Sequence, residues 1–523
     1  MEKGNLEDKL TEKIYDDIHG FVYLTKDEKS LLESPYMQRL HYIRQNGLAY
    51  MVFPGANHTR FSHSIGVLFI AEKMIQQLKK TKKIEIKPID HQVVRLAALL
   101  HDIGHYPLSH TIEASYEEFD SINSSYKHPE STQNGNNFKD VLKNERIKIS
   151  DFFTDNIKPK EEYFHHEQIG KKIITVSLRN KIAKILDSYE KKQDIDYITL
   201  IGEIVTGDLS YSSMNDDEKE KYYILSQIIK SDLDADQLDY MCRDTHNTGI
   251  EASIRLNFII DNMNICNKII RTNPQHKALC FNFKALQSIE QFIISKFYWY
   301  TEILFYEKTF VLNLIAQRLN LFMLFQEEGK NYCNKYNSIN KFDNLIQNEL
   351  EYFFFNDMFF WNKIEKIINS EDIQIKEIKK LAEILMNKEI PKLLTKEELC
   401  EKLNLTSKDF DYGSRYEKPD IDKKYNFYQK VSDKPKLLAI EVTRNIFKSE
   451  KEEVVNYLND KKINISFCND VKTCTKICNE KNCKGLDDIG KQTIIELFIE
   501  KDKIETKSKN IIKDMVFDFE KIL

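Results

Sequence analysis

Few positions in this chain can end a helix. Fifteen glycines and ten prolines make 25 residues of 523, less than half the usual share of about 12%, while Lys, Glu, Ile and Leu are plentiful. Such a chain forms helices wherever its apolar residues keep a 3.6-residue period. Two segments do so clearly. In 64-SIGVLFIAEKMIQQLKK-80, Ile65, Leu68, Phe69, Ala71 and Ile75 share a face. In 89-IDHQVVRLAALLHDIGH-105, Val93, Leu96, Ala97 and Leu100 form a stripe ending at Gly104. The expected architecture is mostly α: a helical bundle, an additional helical C-terminal region, and room there for a small α+β module.

Hydrophobic residues at 41% and charged residues at 30% describe a soluble globular protein rather than a disordered or membrane one. With 77 Lys+Arg against 82 Asp+Glu the net charge is −5, so no global basic field attracts nucleic acid, although a local patch stays open. The start, MEKGNLEDKLTEK, has no apolar signal core, and runs such as 66-GVLFIA-71 are far too short for a membrane span. The odd, scattered set of nine cysteines points to reduced thiols and a cytoplasmic protein.

Residues 1–395 read as one core, with shorter helices joined by tight turns from about 14 to 120 and helical patterning again from about 165. An insertion is expected at about 115–162, where 120-DSINSSYKHPESTQNGNNFKD-140 is Ser/Asn-rich and carries Pro129 and Gly135. The aromatic-rich stretch 291–310 reads as interhelical core rather than a base-stacking platform. Residues 396–436 read as a linker or long loop and 437–523 as a C-terminal module of unassigned role. Within that module 437-LLAIEVTRNIF-447 suits a strand or short helix, and 492–523 suits a helix. Cys468, Cys474, Cys478 and Cys483 offer four thiols for zinc, but they lack the paired C-x2-C knuckles of such sites and read rather as ordinary thiols.

The chemistry concentrates at 101-HDIGHYPLSH-110. His101 and Asp102, at the end of an apolar helix, place an imidazole nitrogen and a carboxylate oxygen together, a mixed set that suits a divalent transition metal. One His-Asp pair means little, since it usually makes a helix-terminal hydrogen bond. Here His101, His105 and His110 fall within ten residues, around Gly104 and Pro107. Upstream, 58-HTRFSH-63 precedes a helix and sets Arg60 at a seat for phosphate. Downstream lie 165-HHEQIG-170 and the acid-rich 231-SDLDADQLDYMCRDTHNTG-249. These four segments hold eight of the 13 histidines.

The order His63, His101-Asp102, Asp236 resembles the HD-domain metal phosphohydrolases. The words 16-DDIHG-20, 38-QRLHYIRQNGLAYMVFPGANHTRFSHSIGV-67, 98-ALLHDIGHYPLSH-110 and 236-DQLDYMCRD-244 resemble the deoxynucleoside triphosphate triphosphohydrolase branch, dGTPase-like proteins included, over roughly residues 14–310. The resemblance implies that His63, His101, Asp102 and Asp236 hold a transition metal such as Mn, Fe or Zn, with Mg accompanying the triphosphate. It implies catalytic roles for His105, Glu113 and His166, the last in the pair His166-Glu167. Arg60 and His110 would face phosphate, while Gln45, Tyr240 and Asp244 would meet the sugar, Tyr240 excluding a 2′-hydroxyl. The reaction implied splits a dNTP, dGTP among them, into deoxynucleoside and tripolyphosphate. Glu33 and Gln38 resemble part of an effector pocket for an activating nucleotide, and the relatives' pocket lies between subunits, which implies a homodimer or tetramer.

The sequence also departs from that pattern. Asn46 stands where an apolar residue is expected beside the sugar, Gln237 where a phosphate-touching lysine is expected, and His41 where an effector-binding arginine is expected. Near 297 an arginine is expected, and the stretch offers only Lys296 and Lys308. Two other readings stay open. One is a phosphohydrolase of the same scaffold acting on another nucleotide or on single-stranded nucleic acid, and the other is a nucleotide-sensing binding protein.

Overall fold

The computed structural model describes residues 6–125, 165–192, 194–210, 214–270, 273–326 and 328–389, together with short strands at 392–393, 437–441, 466–470, 473–475 and 514–518. The chain opens with a hairpin of β1 (Glu12–Asp16) and β2 (Gly20–Leu24), paired antiparallel from Glu12↔Leu24 to Asp16↔Gly20. Helices were expected in this region. The hairpin forms because the Asp16 carboxylate accepts the Ile18 and His19 backbone N–H groups at 3.1 and 2.9 Å, and Gly20 takes φ +76° to close the turn.

Helices then follow: α1 (Lys26–Leu32), α2 (Pro35–Gln38), α3 (Arg60–Thr81), α4 (Pro88–Leu100), α5 (His110–Ser125), α6 (His166–Lys172), α7 (Arg179–Asp187), α8 (Tyr197–Thr206), α9 (Asp216–Ser226), α10 (Ala235–Thr248) and α11 (Leu256–Asp261). After a hairpin of β3 (Met263–Ile270) and β4 (Asn273–Asn282) come α12 (Leu286–Trp299), α13 (Glu307–Phe325), α14 (Ile339–Gln347), α15 (Glu349–Phe354), α16 (Asp357–Ile368) and α17 (Lys376–Asn387). The fold is mostly α, as the shortage of chain breakers requires. The β3–β4 hairpin lies inside the stretch read as helical.

The two periodic segments are α3 and α4, packed on each other in the centre of the molecule. Pro88 starts α4 at its first turn, where a missing N–H costs nothing. Val93, Leu96, Ala97 and Leu100 are fully buried, and the helix ends at Leu100, one turn before Gly104. Buried apolar residues from Leu6 to Leu385 join in one cluster. The aromatic stretch supplies Phe292 and Trp299 to it, while Tyr298 is exposed. The start of the expected insertion is part of α5, and residues 126–164 lie outside the described residues, as do the linker and most of the C-terminal module.

In that module Leu437–Glu441 (β6) is a strand, antiparallel to Asp514–Asp518 (β9), which also pairs with Lys392–Leu393 (β5). The helical expectation for 492–523 therefore fails at 514–518. Ser466–Asp470 (β7) runs parallel to β4 and antiparallel to Thr473–Thr475 (β8). Cys242 and Cys333 are free thiols, whereas Cys280 is disulfide-bonded, against the expectation of reduced cysteines throughout. Among the described residues no helix is long and apolar enough to cross a membrane.

Candidate metal and catalytic site

Helix ends build the site. The first turn of α3 presents Arg60 and His63, the residues just past α4 present His101 and Asp102, and the first turns of α5, α6 and α10 present His110 and Glu113, His166, and Asp236. Asp234 caps α10 by accepting the Gln237 N–H at 2.8 Å, which fixes where Asp236 emerges. Between α4 and α5 the chain turns sharply through Leu108 and Ser109 at φ +50° and +55°. Gly104 in this turn admits α6 closely: a Cβ there would lie 2.0 Å from His166 O and 2.4 Å from Gly170 N.

His63 Nε2 lies 3.2 Å from His101 Nε2, 3.1 Å from Asp236 Oδ1 and 3.7 Å from Asp102 Oδ2. His101 Nε2 is 3.4 Å from Asp102 Oδ1 and 4.0 Å from Asp236 Oδ1. The opposite ring nitrogens are engaged: His63 Nδ1 with Asp239 Oδ2 at 2.8 Å and His101 Nδ1 with the Ala98 carbonyl at 2.9 Å. Both acceptors require an N–H at Nδ1, so in the neutral rings both Nε2 atoms carry lone pairs that converge between two carboxylates. Lone pairs so placed call for a positive charge among them. Burial alone would depress His63, but hydrogen bonds to Asp236 and Asp239 outweigh it and push the imidazole up to about 10. Ligand atoms about 2.0–2.1 Å from one ion lie about 3.0–3.4 Å from each other, close to the shorter spacings here. The donor chemistry fits a divalent transition metal, with Asp239 as the carboxylate that orients a ligating histidine.

Asp239 was not singled out from the sequence, yet it is the hub beneath this cluster. Fully buried, it accepts from His63 Nδ1, from His19 Nε2 at 2.6 Å and from Arg243 Nε and Nη2 at 2.8 and 3.1 Å. Burial opposes its charge, but Arg243 and the two imidazoles hold its carboxyl well below the usual range. Arg243 Nη1 reaches Asp16 at 2.9 Å, so the N-terminal hairpin locks onto α10. Gly66 leaves room for this hub, since a Cβ there would lie 1.9 Å from Asp239 Oδ1.

Beside the metal-type cluster stands a second one. His105 Nε2 is 3.3 Å from Asp102 Oδ1, and its ring stacks on His166 with centroids 3.9 Å apart. Glu113 Oε1 takes His166 Nδ1 at 2.8 Å and the His166 backbone N–H at 2.9 Å, and Oε2 takes His110 Nδ1 at 2.7 Å. Burial, then Arg60 and His166, hold His105 well below its ordinary value, so it is neutral at pH 7. Burial disfavours the Glu113 anion, but His166 and His110 keep its carboxyl well below the usual range. His110 is half-exposed at the mouth of the group.

Arg60 does not stand open for a phosphate. Its Nη1 donates to Asp102 Oδ2 at 2.7 Å, Nε to Ser109 Oγ at 3.0 Å and Nη2 to the Gln45 carbonyl at 3.2 Å. Asp102 thus faces the metal-type cluster on one side and a guanidinium on the other. Burial raises its carboxyl, and Arg60 with the neighbouring imidazoles more than reverses this, leaving it well below the usual range.

The residues expected at the sugar also gather. Gln45 N bonds the His58 carbonyl at 3.1 Å, His58 Nε2 meets Asp244 Oδ1 at 2.6 Å, and Tyr240 sits one turn before Asp244 with its ring 5.2 Å from Trp299. Gln237, where a lysine was expected, accepts at 2.6 Å from Nζ of buried Lys296, so an amine reaches this position from α12. The expected effector residues are placed as follows. Glu33 is exposed at the end of α1, Gln38 donates to the Leu32 carbonyl at 2.9 Å, and His41 stacks on Phe61.

Asp357 and Tyr352, outside the quoted words, and Arg39, within one but given no role, also hold the site. Asp357 Oδ1 and Oδ2 accept the Leu108 and Arg44 backbone N–H groups at 2.7 and 3.0 Å, Arg39 Nη2 donates to the His105 carbonyl at 2.6 Å, and Tyr352 to the Ile103 carbonyl at 3.1 Å. The 103–108 turn is therefore pinned by a helix pair some 250 residues away.

The HD domain family matches residues 60–196, a span that contains His63, His101, Asp102, His105, Glu113 and His166. That segment carries the match to an HD domain. An uncharacterized protein of Methanocaldococcus jannaschii is 46% identical to this chain over 100 residues, 19% of this chain and 20% of that protein. The deoxynucleoside triphosphate triphosphohydrolase SAMHD1 of Gallus gallus is 27% identical over 264 residues, 49% of this chain and 37% of that protein. The uncharacterized protein MG461 of Mycoplasma genitalium is 27% identical over 349 residues, 65% of each chain. The chain thus spans less than two-thirds of the length of each of these relatives.

Proposed function

We propose that this chain is a metal-dependent phosphohydrolase that splits a deoxynucleoside triphosphate, dGTP among them, into deoxynucleoside and tripolyphosphate. The observation that carries the reading is the pairing of two groups: the converging His63, His101, Asp102 and Asp236, and the neutral His105 stacked on the Glu113-bound His166 directly beside them. The similarity to SAMHD1, whose name states that activity, agrees with it.

A divalent Mn, Fe or Zn held by His63, His101, Asp102 and Asp236 would polarise a phosphoryl oxygen and lower the pKa of nearby water. The chain's own residues do the rest. His105, kept neutral by burial and by Arg60, accepts a proton from the water that attacks the α-phosphorus. The new bond joins the water oxygen to that phosphorus, and the bond that breaks joins it to the 5′-oxygen. His105 then gives that proton to the leaving 5′-oxygen, while Glu113, through the Nδ1 atoms of His166 and His110, holds the ring stacked on His105 in place. Arg60 and Lys296 supply positive charge near the phosphates, and Mg on the triphosphate offsets its remaining charge.

The test is product analysis by 31P NMR with each dNTP, in Mn2+, Fe2+ and Mg2+ singly and mixed. Mixtures of nucleotides are included because Glu33 and Gln38 would belong to an activator site between subunits of a dimer or tetramer. Tripolyphosphate plus deoxynucleoside supports the reading, and orthophosphate or pyrophosphate contradicts it.

A further inference from the structure

Two consecutive buried residues between His105 and His110 hold a backbone conformation that L side chains resist: Leu108 at φ +50° and Ser109 at φ +55°. Among the described residues the other non-glycine positions with positive φ are Lys82 and Lys388. Each of those ends a helix, α3 and α17, where one left-handed residue is common. Leu108 and Ser109 end no helix. They join the His105 turn to α5, and the left-handed conformation costs each an equilibrium factor of roughly 5 to 30. Such strain persists only where the surroundings over-determine it. Here both residues are closed onto the backbone of Arg44. Asp357, the first residue of α16, accepts the Leu108 N–H at 2.7 Å on Oδ1 and the Arg44 N–H at 3.0 Å on Oδ2. Ser109 Oγ donates to the Arg44 carbonyl at 2.7 Å and accepts from Arg60 Nε at 3.0 Å.

The consequence lies on the far side of the turn. The Leu108 carbonyl accepts the Thr111 N–H at 3.2 Å and the Ser109 carbonyl accepts the Glu113 N–H at 3.4 Å. The backbone at 108 and 109 therefore sets the direction in which α5 leaves, and with it the place of His110 and Glu113. In the closed turn the His105 and His110 rings meet edge to face with centroids 4.8 Å apart, and Glu113 holds both His110 and His166. We propose that Asp357 is a positioning residue that latches a strained Leu108–Ser109 turn, and that the unlatched turn opens and carries His110 and Glu113 away from His105. The effect on turnover rests on the phosphohydrolase reading above, whereas the latch itself does not.

The experiment places Asp357→Ala, which removes both acceptors, and Asp357→Asn, which keeps one, in Leu108→Ala and Leu108→Gly backgrounds. Both backgrounds lose the buried leucine side chain, and they differ in that glycine takes positive φ without strain. Amide hydrogen exchange over residues 109–113 of metal-free protein reads the latch, and kcat for dGTP with Mn2+ reads the alignment. In the Leu108→Ala background, Asp357→Ala should speed exchange about tenfold or more and lower kcat about 100-fold, with Asp357→Asn in between. In the Leu108→Gly background both effects should shrink about fivefold or more, because the strain that drives opening is gone. Should Asp357→Ala fail to fold, Asp357→Asn carries the same comparison. Equal effects in the two backgrounds, or unchanged exchange at 109–113, overturn the latch. Faster exchange with kcat unchanged overturns the positioning role. The expected exchange pattern with no turnover of any nucleotide by metal-loaded parent overturns the phosphohydrolase reading and leaves the latch standing.

Discussion

Asp239→Asn is the most informative single change, because it leaves every proposed metal ligand in place. Each carboxylate oxygen takes two donors, Oδ1 from His19 and Arg243 Nη2 and Oδ2 from His63 and Arg243 Nε. Whichever oxygen becomes an NH2 then faces two N–H groups, and the buried guanidinium keeps only Asp16 as a close charged partner, with Asp17 at 3.4 Å. Breaking a buried ion pair costs about 3–5 kcal/mol. The retained Asp16 contact places this variant at about 3 kcal/mol. Loss of the carboxylate that orients a ligating histidine weakens metal affinity about 10–100-fold, or about 1.4–2.8 kcal/mol. Urea denaturation of metal-free protein reads the first term, and competition with a calibrated chelator for Mn2+ reads the second. Metal affinity within about threefold of the parent, together with the stability loss, would show that Asp239 braces α10 without setting the His63 ring.

Gly104→Ala should separate His166 from His105, since the added Cβ would meet His166 O at 2.0 Å. Turnover is expected to fall at least about 100-fold with metal content unchanged, and parental turnover would refute the stacked pair as the proton-handling group. Burial pushes the Asp357 carboxyl up to about 6 from an ordinary 3.8, although the Leu108 and Arg44 N–H groups oppose the shift. A native pKa above the unfolded one adds stability that is fully present below about pH 4 and lost as pH rises through 6. The difference of 2.2 units amounts to about 3 kcal/mol. Urea midpoints at pH 4.5 and 7.5 should therefore converge in Asp357→Asn relative to the parent, and an equal pH dependence in the two proteins would contradict the assignment.

The parts of the site legible in the sequence were those with a local signature. An apolar helix running into His101-Asp102, and histidines crowding a Gly/Pro turn, show a metal-type site within a few residues of chain. Arg60 was legible as a cation at a helix start, whereas Gln45 and Asp244 gained their sugar-contacting roles only through the family resemblance. Asp239, His19, Arg39 and Asp357 act across 66 to 249 residues of separation, and no periodicity links a carboxylate in α16 to a backbone N–H beside Pro107. The hairpin at 12–24 was hidden for a related reason: its turn depends on one Asp16 side chain, and five-residue strands give too short a pattern to outvote helical composition. Strands β6, β7 and β9 pair with remote partners, so their conformation is set by tertiary contacts rather than by propensity.

The central claim is that separate helix ends cage one cation, and metal analysis tests it most directly. Parent protein stripped with chelator, reloaded with Mn2+ and desalted should retain about one equivalent per chain by plasma mass spectrometry. Asp102→Ala treated identically should retain almost none while its far-UV circular dichroism stays largely helical. Equal retention by the two proteins would contradict the account.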